Sequence, residues 1–501
     1  MQTMPSIALG ESRTPGPERP REFDDLPGPR GIPWFGNSLQ LDTSRMHLQL
    51  EQWSRDYGAL YKLRFVKRRV LVVGDHELVA TILRDRPDGF SRTSRLEEIW
   101  VEMGLMPGVF GANGDIWKRQ RRMVMAGFDP AHVKRYFPSL VKVAQRLGSR
   151  WRVAAEQGRS IDLQADLMRF TVDAIAGLAF GAEVNTLESD ADAIQKHLDK
   201  IFPAVFKRLF APIATWRYWR SAADRQLERS IVEVRTAVAG FIAHARTRMR
   251  ADPSLREHPR NLLEAMIAAA DQEGSGIDDA QVAGNVLTML LAGEDTTANT
   301  LAWMIELLWQ HPPTLARATE EVRRVIGDAP EPTLEHMAQL DYLEACAHET
   351  MRLKPVAPIL ALQALRDTQI GDVLIRARTV VINLMRRDSV SESHVPDATA
   401  FKPQRWLGQG VGGGAAALAA SAKRSSMPFG AGPRICPGRY LALLEIKMAM
   451  AQLLGNFDIE SVGTASGQRA REHLSFTMAP LGLRMRLRKR QTRPGEDRPQ
   501  G

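Results

Sequence analysis

The feature that most constrains the fold is a proline-free, largely apolar run from Ile277 to His311. Asp278, followed three residues later by Gln281, forms a capping-box pattern that predicts the start of a helix, and Pro312–Pro313 cannot continue it. About 33 residues at a rise of about 1.5 Å each give a helix about 50 Å long, enough to cross a whole domain. Glycine, two acids and two threonines at its centre (293–297) lower helix stability, a departure expected at functional sites.

Outside this helix the hydrophobic pattern is mostly helical, with a few short strand-like runs. We expect one mainly α (α+β) domain over residues 26–488, helix-rich, with small β-sheets and the long helix at its centre. Residues 1–25 and 489–501 are polar, rich in Pro, Arg, Glu and Gly, and both are expected to be disordered. The low-complexity segment Gly408–Ser421 predicts a surface insertion. Strands are predicted at Leu60–Phe65, Arg69–Val73, Val373–Ile375 and Val380–Leu384, and near Leu474–Met478 and Leu481–Leu487.

Charge and cysteine content narrow the classes of function. The formal net charge is +9, but the basic stretches are scattered and no nucleic-acid module pattern accompanies them, so nucleic acid is not an expected partner. The excess is either a solvated arginine-rich surface or a face for an acidic partner protein. The two cysteines, Cys346 and Cys436, do not suggest a disulfide framework. No transmembrane anchor or secretion signal is predicted, and a cytoplasmic enzyme is the simplest interpretation.

The segment from Phe429 to Gly438 carries the clearest chemical signal, and an amphipathic helix is predicted after it, from Arg439 to Leu454. Its glycines let the backbone approach a flat ligand closely, and Pro437 suits the first turn of the helix. Cys436 then lies at the helix N-terminus, where the dipole favours thiolate over thiol. Taken alone, a single cysteine is more often a buried structural residue.

Further motifs favour the chemical interpretation. The spacing FxxGxRxCxG at residues 429–438 resembles the haem-binding signature of the cytochrome P-450 family. Residues Ala292–Thr297 resemble the family's oxygen-activation motif, and Glu349–Arg352 resemble its ExxR motif. Other matches, in the family's order, are Leu26–Pro33, Trp117–Arg121 and Phe401–Trp406. The resemblance spans roughly residues 26–488 and implies the triangular, helix-rich cytochrome P-450 fold.

The resemblance implies that the chain binds haem b (iron protoporphyrin IX), with Cys436 as the iron ligand. The other implied haem contacts are Trp117, Arg121, Ala292, Phe429, Gly430, Arg434 and Gly438. Asp295 and Thr296 are the implied catalytic pair, delivering protons for O–O bond cleavage, although ordinary back-bonding of the threonine to the preceding turn is the alternative. Glu294 points about 100° away from Asp295 on a helix and is the weaker candidate.

Two further features concern the surroundings of the haem. Glu349 and Arg352 are a common surface pair by spacing alone, whereas the resemblance makes them a buried ion pair with Arg405 that serves folding. Many family members carry an arginine after the ExxR helix to hold a haem propionate. This sequence has Leu362 or Gln363 at that place, which puts one propionate contact in doubt.

The resemblance also implies the activity. It predicts a monooxygenase (EC 1.14 class) that activates O2 and hydroxylates a lipophilic small molecule, with electrons from NAD(P)H through a separate ferredoxin or flavodoxin and its reductase. A hydrophobic substrate pocket is expected, although each of its residues taken singly is as well explained by core packing. Its expected lining residues are Phe110, Met289, Val356, Ile359, Leu360 and Phe476. A peroxygenase or isomerising haem-thiolate enzyme is one alternative, and a non-enzymatic haem sensor is another.

Overall fold

The computed structural model describes residues 20–490 except 67, 129, 182–183, 189–193, 328, 330 and 408–419. Helices dominate the described chain, with small sheets beside them, so the predicted helix-rich α+β architecture is confirmed. The helices are α1 (Met46–Tyr57), α2 (His76–Arg84), α3 (Ser94–Glu102), α4 (Gly114–Gly127), α5 (Pro130–Glu156), α6 (Leu163–Phe180), α7 (Gln195–Leu198), α8 (Ile201–Phe210), α9 (Ala222–Ala251), α10 (Leu262–Ala270), α11 (Asp279–Gln310), α12 (Pro312–Ile326), α13 (Leu334–Ala338), α14 (Asp341–Leu353) and α15 (Arg439–Asn456).

Helix α11 is the predicted central helix, and its capping box is present. The N–H of Gln281 donates to Asp278 Oδ1 at 2.8 Å, and the N–H of Asp278 donates to Gln281 Oε1 at 3.1 Å. Most of its side chains from Val282 to Leu308 are buried. Ala292, midway along, is nevertheless exposed. Because this helix crosses the interior, the exposed alanine marks open space inside the fold.

The strands are short and form small sheets. They are β1 (Arg21–Glu22), β2 (Leu60–Phe65), β3 (Arg68–Val73), β4 (Phe90–Arg92), β5 (Ile161–Asp162), β6 (Ile359–Ala364), β7 (Thr368–Ile370), β8 (Val373–Ile375), β9 (Val380–Leu384), β10 (Phe457–Gly463), β11 (Arg471–Leu474), β12 (Met478–Leu481) and β13 (Arg484–Lys489). The largest sheet has the order β2-β3-β9-β6-β4, with β3 and β9 parallel. Two of its strands, β6 and β4, carry residues of the site described below.

Some predicted boundaries near the C-terminus are wrong. The residues from Leu474 to Met478 do not form one strand, because 475–477 turn the chain between β11 and β12. The last strand is Arg484–Lys489, starting later than predicted because Gly482 has a φ of +71° and turns the chain there. Helix α15 runs to Asn456, two residues past the predicted end at Leu454.

The N-terminal segment is ordered earlier than predicted. Residues 1–25 were expected to be disordered, but Arg21 and Glu22 pair in parallel with β8. The Arg21 guanidinium binds both carboxylate oxygens of Asp372, at 2.7 and 2.9 Å, and Phe23 is buried. The prediction is therefore wrong for 20–25, while 1–19 lie outside the described residues. Most of the expected surface insertion also lies outside them, as does the tail from 491.

The main core forms where α5, α6, α11, α14 and α15 pack together. Its largest side chains include Trp151 and Trp303, and both indole N–H groups have partners, as buried tryptophans need. Trp303 Nε1 donates to the carbonyl of Met478 at 3.1 Å, which joins α11 to β12. No helix among the described residues combines the length and the apolar character needed to cross a bilayer.

Candidate active site

The loop around Cys436 is shaped by close backbone packing. Gly430 and Gly432 have φ values of +73° and +70°, and a Cβ on Gly432 would meet the carbonyl of Leu83 at 2.7 Å. The loop therefore packs directly against α2. The N–H of Cys436 donates to the carbonyl of Phe429 at 2.9 Å, which closes the loop. Gly438 is the N-cap of α15, so Pro437 precedes the helix and does not occupy its first turn as predicted.

The surroundings of Cys436 shift the pKa of its thiol in opposite directions. Burial raises the pKa of the thiol, whereas the backbone N–H of Gly438 and the charges of Arg121 and Arg439 lower it, and burial has the larger effect. Arg121 also donates from Nη2 to the carbonyl of Ile435 at 2.8 Å, which fixes its charge beside the loop. A coordinated metal ion deprotonates a thiol outright, and here the adjacent N–H and cations would then stabilise the thiolate.

Three arginines lie near this loop without counter-ions: Arg86 is buried, and Arg92 and Arg434 are half-buried. The pKa of Arg434 falls to about 9, because burial disfavours its charge and Arg86 and Arg121 repel it. The pKa of Arg92 falls well below its ordinary value for the same reasons, with Arg86 and Arg434 as the repelling neighbours. Among the described residues, Nε of Arg434 and both Nε and Nη2 of Arg86 lack hydrogen-bond partners. An anionic ligand would offset the desolvation and mutual repulsion of these positive charges.

The other interactions of Arg434 orient it. Its guanidinium lies 4.4 Å from the ring centroid of Trp117, which is itself buried, and its Nη2 donates to the carbonyl of Ala112 at 2.8 Å. Haem is a flat, apolar macrocycle with two carboxylates, so the arginine cluster beside the cysteine loop fits its charge. The two sequence-predicted residues Trp117 and Arg434 are thus brought together on one side of the site.

Arg92 lies close to the position after the ExxR helix where many family members carry an arginine and this sequence does not. In the pairing of β4 with β6, Arg92 lies directly opposite Leu362, and opposite residues share one face of a sheet. Leu362 is fully buried, and the guanidinium of Arg92 stacks 4.0 Å from the ring centroid of Phe110. Gln363 is engaged elsewhere, accepting a hydrogen bond from the N–H of Ser94 at 3.0 Å. The neighbouring strand therefore supplies a cation beside the position where the sequence lacks one.

The exposed middle of α11 carries Asp295 and Thr296, but their side chains bind different partners. Thr296 Oγ1 donates to the carbonyl of Ala292 at 2.7 Å, which is the back-bonding alternative. Asp295 accepts hydrogen bonds from Asn299 Nδ2 at 2.8 Å and from the hydroxyl of Thr477. Burial raises the pKa of Asp295, and these two hydrogen bonds oppose the rise. The two residues are adjacent on the helix, so their side chains point about 100° apart and bind different partners.

Two further acids, Glu294 and Asp199, lie together at another face of α11. Glu294 is 2% exposed, and its carboxyl lies next to that of Asp199, between α7 and α8. Burial raises the pKa of Glu294 well above its ordinary range, and the charges of Asp199 and Asp295 add to the rise. Burial likewise raises the pKa of Asp199 to about 6, although the hydrogen bond with Glu294 opposes it. Sequence reasoning ranked Glu294 lower and missed Asp199, because no local pattern places that loop against α11.

Aromatic rings border the apolar side of the site. The rings of Phe476 and Phe202 stack at 4.2 Å between centroids, and Phe110 lies 5.8 Å from Phe476. Phe476 adopts a φ of +103°, unusual for a bulky residue, and this backbone conformation is a local departure of the kind found at functional sites. Of the other predicted lining residues, Met289 packs in the same cluster and is buried. Val356, Ile359 and Leu360 are half-buried on and just before β6.

The ion-pair residues assigned to folding do meet. Glu349 and Arg352 are fully buried, and Glu349 accepts from Arg352 Nε and Nη2 at 2.8 and 2.7 Å. Arg405 Nε donates to the same carboxylate at 2.9 Å, as does Trp406 Nε1 at 2.8 Å. Arg352 also donates to the carbonyl of Ser389. These contacts tie α14 to the stretch of chain from Ser389 to Trp406.

This arrangement defines a class of protein in which a cysteine loop, a cluster of arginines and a long helix together suit a flat, anionic ligand. The chain belongs to the cytochrome P-450 family, whose family model matches residues 26–486. That family holds haem through a cysteine thiolate. The fungal relatives described below are named cytochrome P450 monooxygenases, so the predicted oxidoreductase class is confirmed.

Individual relatives are distant in sequence. The chain is 27% identical over 416 residues to Protein LUTEIN DEFICIENT 5, chloroplastic, of Arabidopsis thaliana, covering 81% of this chain and 68% of that protein. It is 27% identical over 490 residues to the self-sufficient cytochrome P-450 monooxygenase CYP505E5 of Aspergillus niger, covering 95% of this chain and 44% of that protein. A similar protein, CYP505U2 of Exserohilum turcicum, is 28% identical over 95% of this chain and 43% of its own length. The chain therefore spans less than half of these fungal relatives.

Proposed function

We propose that this chain is a haem-thiolate monooxygenase that uses O2 to hydroxylate a lipophilic small molecule, with Cys436 as the ligand of haem b. The observation that carries the proposal is the cluster of buried and half-buried, mutually repelling arginines beside the cysteine loop. Arg86, Arg92 and Arg434 would hold the two propionates, and Trp117 would keep Arg434 in place. Gly430 and Gly438 leave room for the macrocycle, with Phe429 and Ala292 bordering it.

Haem bound here would supply O2 activation, with the thiolate pushing electron density toward the iron. Residues around Cys436 would set how much electron density its sulfur donates to the iron. The N–H of Gly438 and the positive charges of Arg121 and Arg439 would withdraw charge from the Cys436 sulfur. Hydrogen bonds to a ligating sulfur tune the reduction potential of the bound metal.

Proton delivery would fall to residues of α11. The Thr296 hydroxyl donates its own hydrogen to the helix, so its oxygen lone pairs remain free to accept a hydrogen bond from water or a reacting group. Burial raises the pKa of Asp295, which favours the protonated form that can donate a proton. Asp199 and Glu294 extend this set of acids away from the helix face. We propose that Asp295 and Thr296 act through water, because they do not contact each other directly.

The substrate would bind where the aromatic rings meet the exposed part of α11. Phe110, Phe202 and Phe476 offer apolar, flat surface, and the half-buried side chains at the start of β6 add branched apolar surface. Such a lining binds a lipophilic molecule by removing apolar area from water. Screening fatty acids and other lipophilic compounds for a change in the iron spin state tests this pocket.

Electrons would come from NAD(P)H through a redox protein. A cleft of about 760 Å³ borders the loop at Phe429 and Gly430, and its charged lining includes Lys423 and Arg439 as well as Glu321, Asp341 and Glu344. We propose that a separate ferredoxin or flavodoxin docks there. An electron-supplying domain on the same polypeptide is the second candidate, which the word self-sufficient in the names of the longer fungal relatives favours. If an acidic partner docks, Lys423→Glu raises the KM for that partner at low salt and leaves substrate binding unchanged.

Isotope labelling tests the proposed reaction. With ¹⁸O2, NAD(P)H and a reductase system, one labelled oxygen atom should enter the product for each NAD(P)H consumed. Turnover with peroxide but none with O2 and reductase would instead support a peroxygenase. A spectral screen without any product in either system would support a haem sensor. A cytoplasmic location stays a proposal from composition, tested by fractionating the host cell.

A further inference from the structure

A cluster of metal-binding side chains lies away from the cysteine loop, where α2 begins. Asp388 Oδ2 lies 2.9 Å from His76 Nδ1, and Asp388 Oδ1 lies 3.5 Å from His394 Nε2. The two imidazole rings are 5.0 Å apart, nearly perpendicular. We propose that His76, Asp388 and His394 form a second metal site that binds a divalent transition-metal ion such as Zn²⁺ with a water as fourth ligand.

The spacing and chemistry of the three groups support this assignment. One ligand atom from each residue lies within 4.8 Å of the others. In a tetrahedral Zn²⁺ site with bonds of about 2.0–2.1 Å, ligand atoms are about 3.4 Å apart, so small side-chain rotations would suffice. Two imidazoles and a carboxylate are ligands that Zn²⁺ takes readily, and three protein ligands leave one position open.

Burial around the cluster also suits a bound ion. The Asp388 side chain is 2% exposed, whereas those of His76 and His394 are 14% and 31% exposed. The carboxylate is thus the buried ligand of the cluster, and the two imidazoles are the ligands that reach solvent. An ion can enter from solvent, and the fourth ligand can be water. The backbone N–H of His76 also donates to Asp388 Oδ2 at 2.8 Å, which holds the carboxylate in orientation.

One positive charge competes for the same carboxylate. Arg387 Nη1 donates to Asp388 Oδ1 at 2.5 Å, and the Arg387 side chain is 23% exposed. Asp388 can keep this contact through Oδ1 while Oδ2 binds the ion, or Arg387 can turn to solvent. Either route weakens binding relative to a site without the arginine.

The position of the cluster gives the ion a structural role. His76 is the first residue of α2, whose other end packs against the loop at Gly432. Ser389, next to Asp388, accepts a hydrogen bond from Arg352 through its carbonyl. A bound ion would therefore join the helix behind the cysteine loop to the segment that holds the buried ion pair. This role does not depend on the substrate or on the reaction.

Zn²⁺ titration of the chelator-treated, haem-loaded protein tests the proposal. Calorimetry should give one Zn²⁺ per chain, and Co²⁺ should give the visible absorption bands of a tetrahedral N/O site. His394→Ala should weaken Zn²⁺ binding at least tenfold, whereas His258→Ala, which removes an exposed histidine elsewhere, should change nothing.

The controls separate this site from general effects. Haem content and melting temperature without metal should be the same in His394→Ala and the unmodified protein, and only the unmodified protein and His258→Ala should melt higher with Zn²⁺. If His394→Ala folds poorly, His394→Gln replaces it in the same assays. Equal Zn²⁺ affinity in the His394 variant and the unmodified protein would overturn the proposal, as would the absence of Zn²⁺ binding to the unmodified protein.

Discussion

Replacing Glu349 by glutamine removes one negative charge from a buried cluster of ionic contacts. The side chains of Glu349 and Arg352 have no exposed surface, and that of Arg405 has 5%. Glutamine keeps the shape but leaves two buried guanidinium groups without their shared counter-ion. Breaking a buried pair in this way typically costs about 3–5 kcal/mol. That is a large fraction of the roughly 5–15 kcal/mol that separates folded from unfolded domains.

Urea unfolding followed by circular dichroism measures this loss, with haem content matched between proteins. Asp367→Asn is the control, because its partner Arg376 lies in a pair whose side chains are 57% and 70% exposed. An exposed pair contributes about 0–1 kcal/mol, so this variant should unfold almost as the unmodified protein does. If Glu349→Gln lowers the free energy of unfolding by less than about 1 kcal/mol, the reasoning is refuted. Arg352 and Arg405 would then not depend on Glu349 as their counter-ion.

The pH dependence of Glu349 has a defined sign. Its pKa lies below the ordinary value, because the hydrogen bonds and charges of Arg352 and Arg405 outweigh burial. The stability that this carboxylate contributes is present above the unfolded-state pKa and is lost as the pH falls through the lower folded-state pKa. The difference in unfolding free energy between Glu349→Gln and the unmodified protein should therefore shrink in acid.

Three further predictions concern the site. Arg92→Leu removes one proposed propionate partner, so haem should transfer to a scavenger globin roughly tenfold faster, with Arg378→Leu, an exposed arginine, as the unchanged control. Asp199 has a pKa raised to about 6, so its ionisation lowers stability as the pH rises from about 4 to 6; melting temperatures of Asp199→Asn should lose that part of the pH dependence. Phe476→Ala removes the ring that joins Phe110 and Phe202, so spectral binding of lipophilic compounds should weaken about tenfold or more, whereas equal binding would place the substrate elsewhere.

Local signals account for the parts of the fold that were predictable. The central helix carries its own capping box and stops at two prolines, so its bounds follow from neighbouring residues. The cysteine loop is a short motif whose glycines and arginine lie within a few positions of Cys436. Strands β2, β3, β8 and β9 contain enough branched apolar residues to be predicted from their own sequence, without knowing which strands they pair with.

Other features depend on chain pairing that no local pattern encodes. Arg92 reaches the cation cluster only because β4 pairs with β6, and Asp199 meets Glu294 only because its loop folds over α11. An isolated arginine or aspartate in sequence is far more often a solvated surface residue. Arg21 illustrates the same limit, since a polar terminal segment became a strand by pairing with β8 and binding Asp372.

The most direct test of the account is the spectrum of the reduced, CO-bound protein and of its Cys436→Ser variant. The unmodified protein should absorb at the position characteristic of a thiolate ligand, as its family resemblance implies. Cys436→Ser should lose that band while retaining haem, and Cys346→Ser, which changes a buried cysteine on α14, should keep it. An unchanged spectrum in Cys436→Ser would contradict the central claim that this sulfur binds the iron.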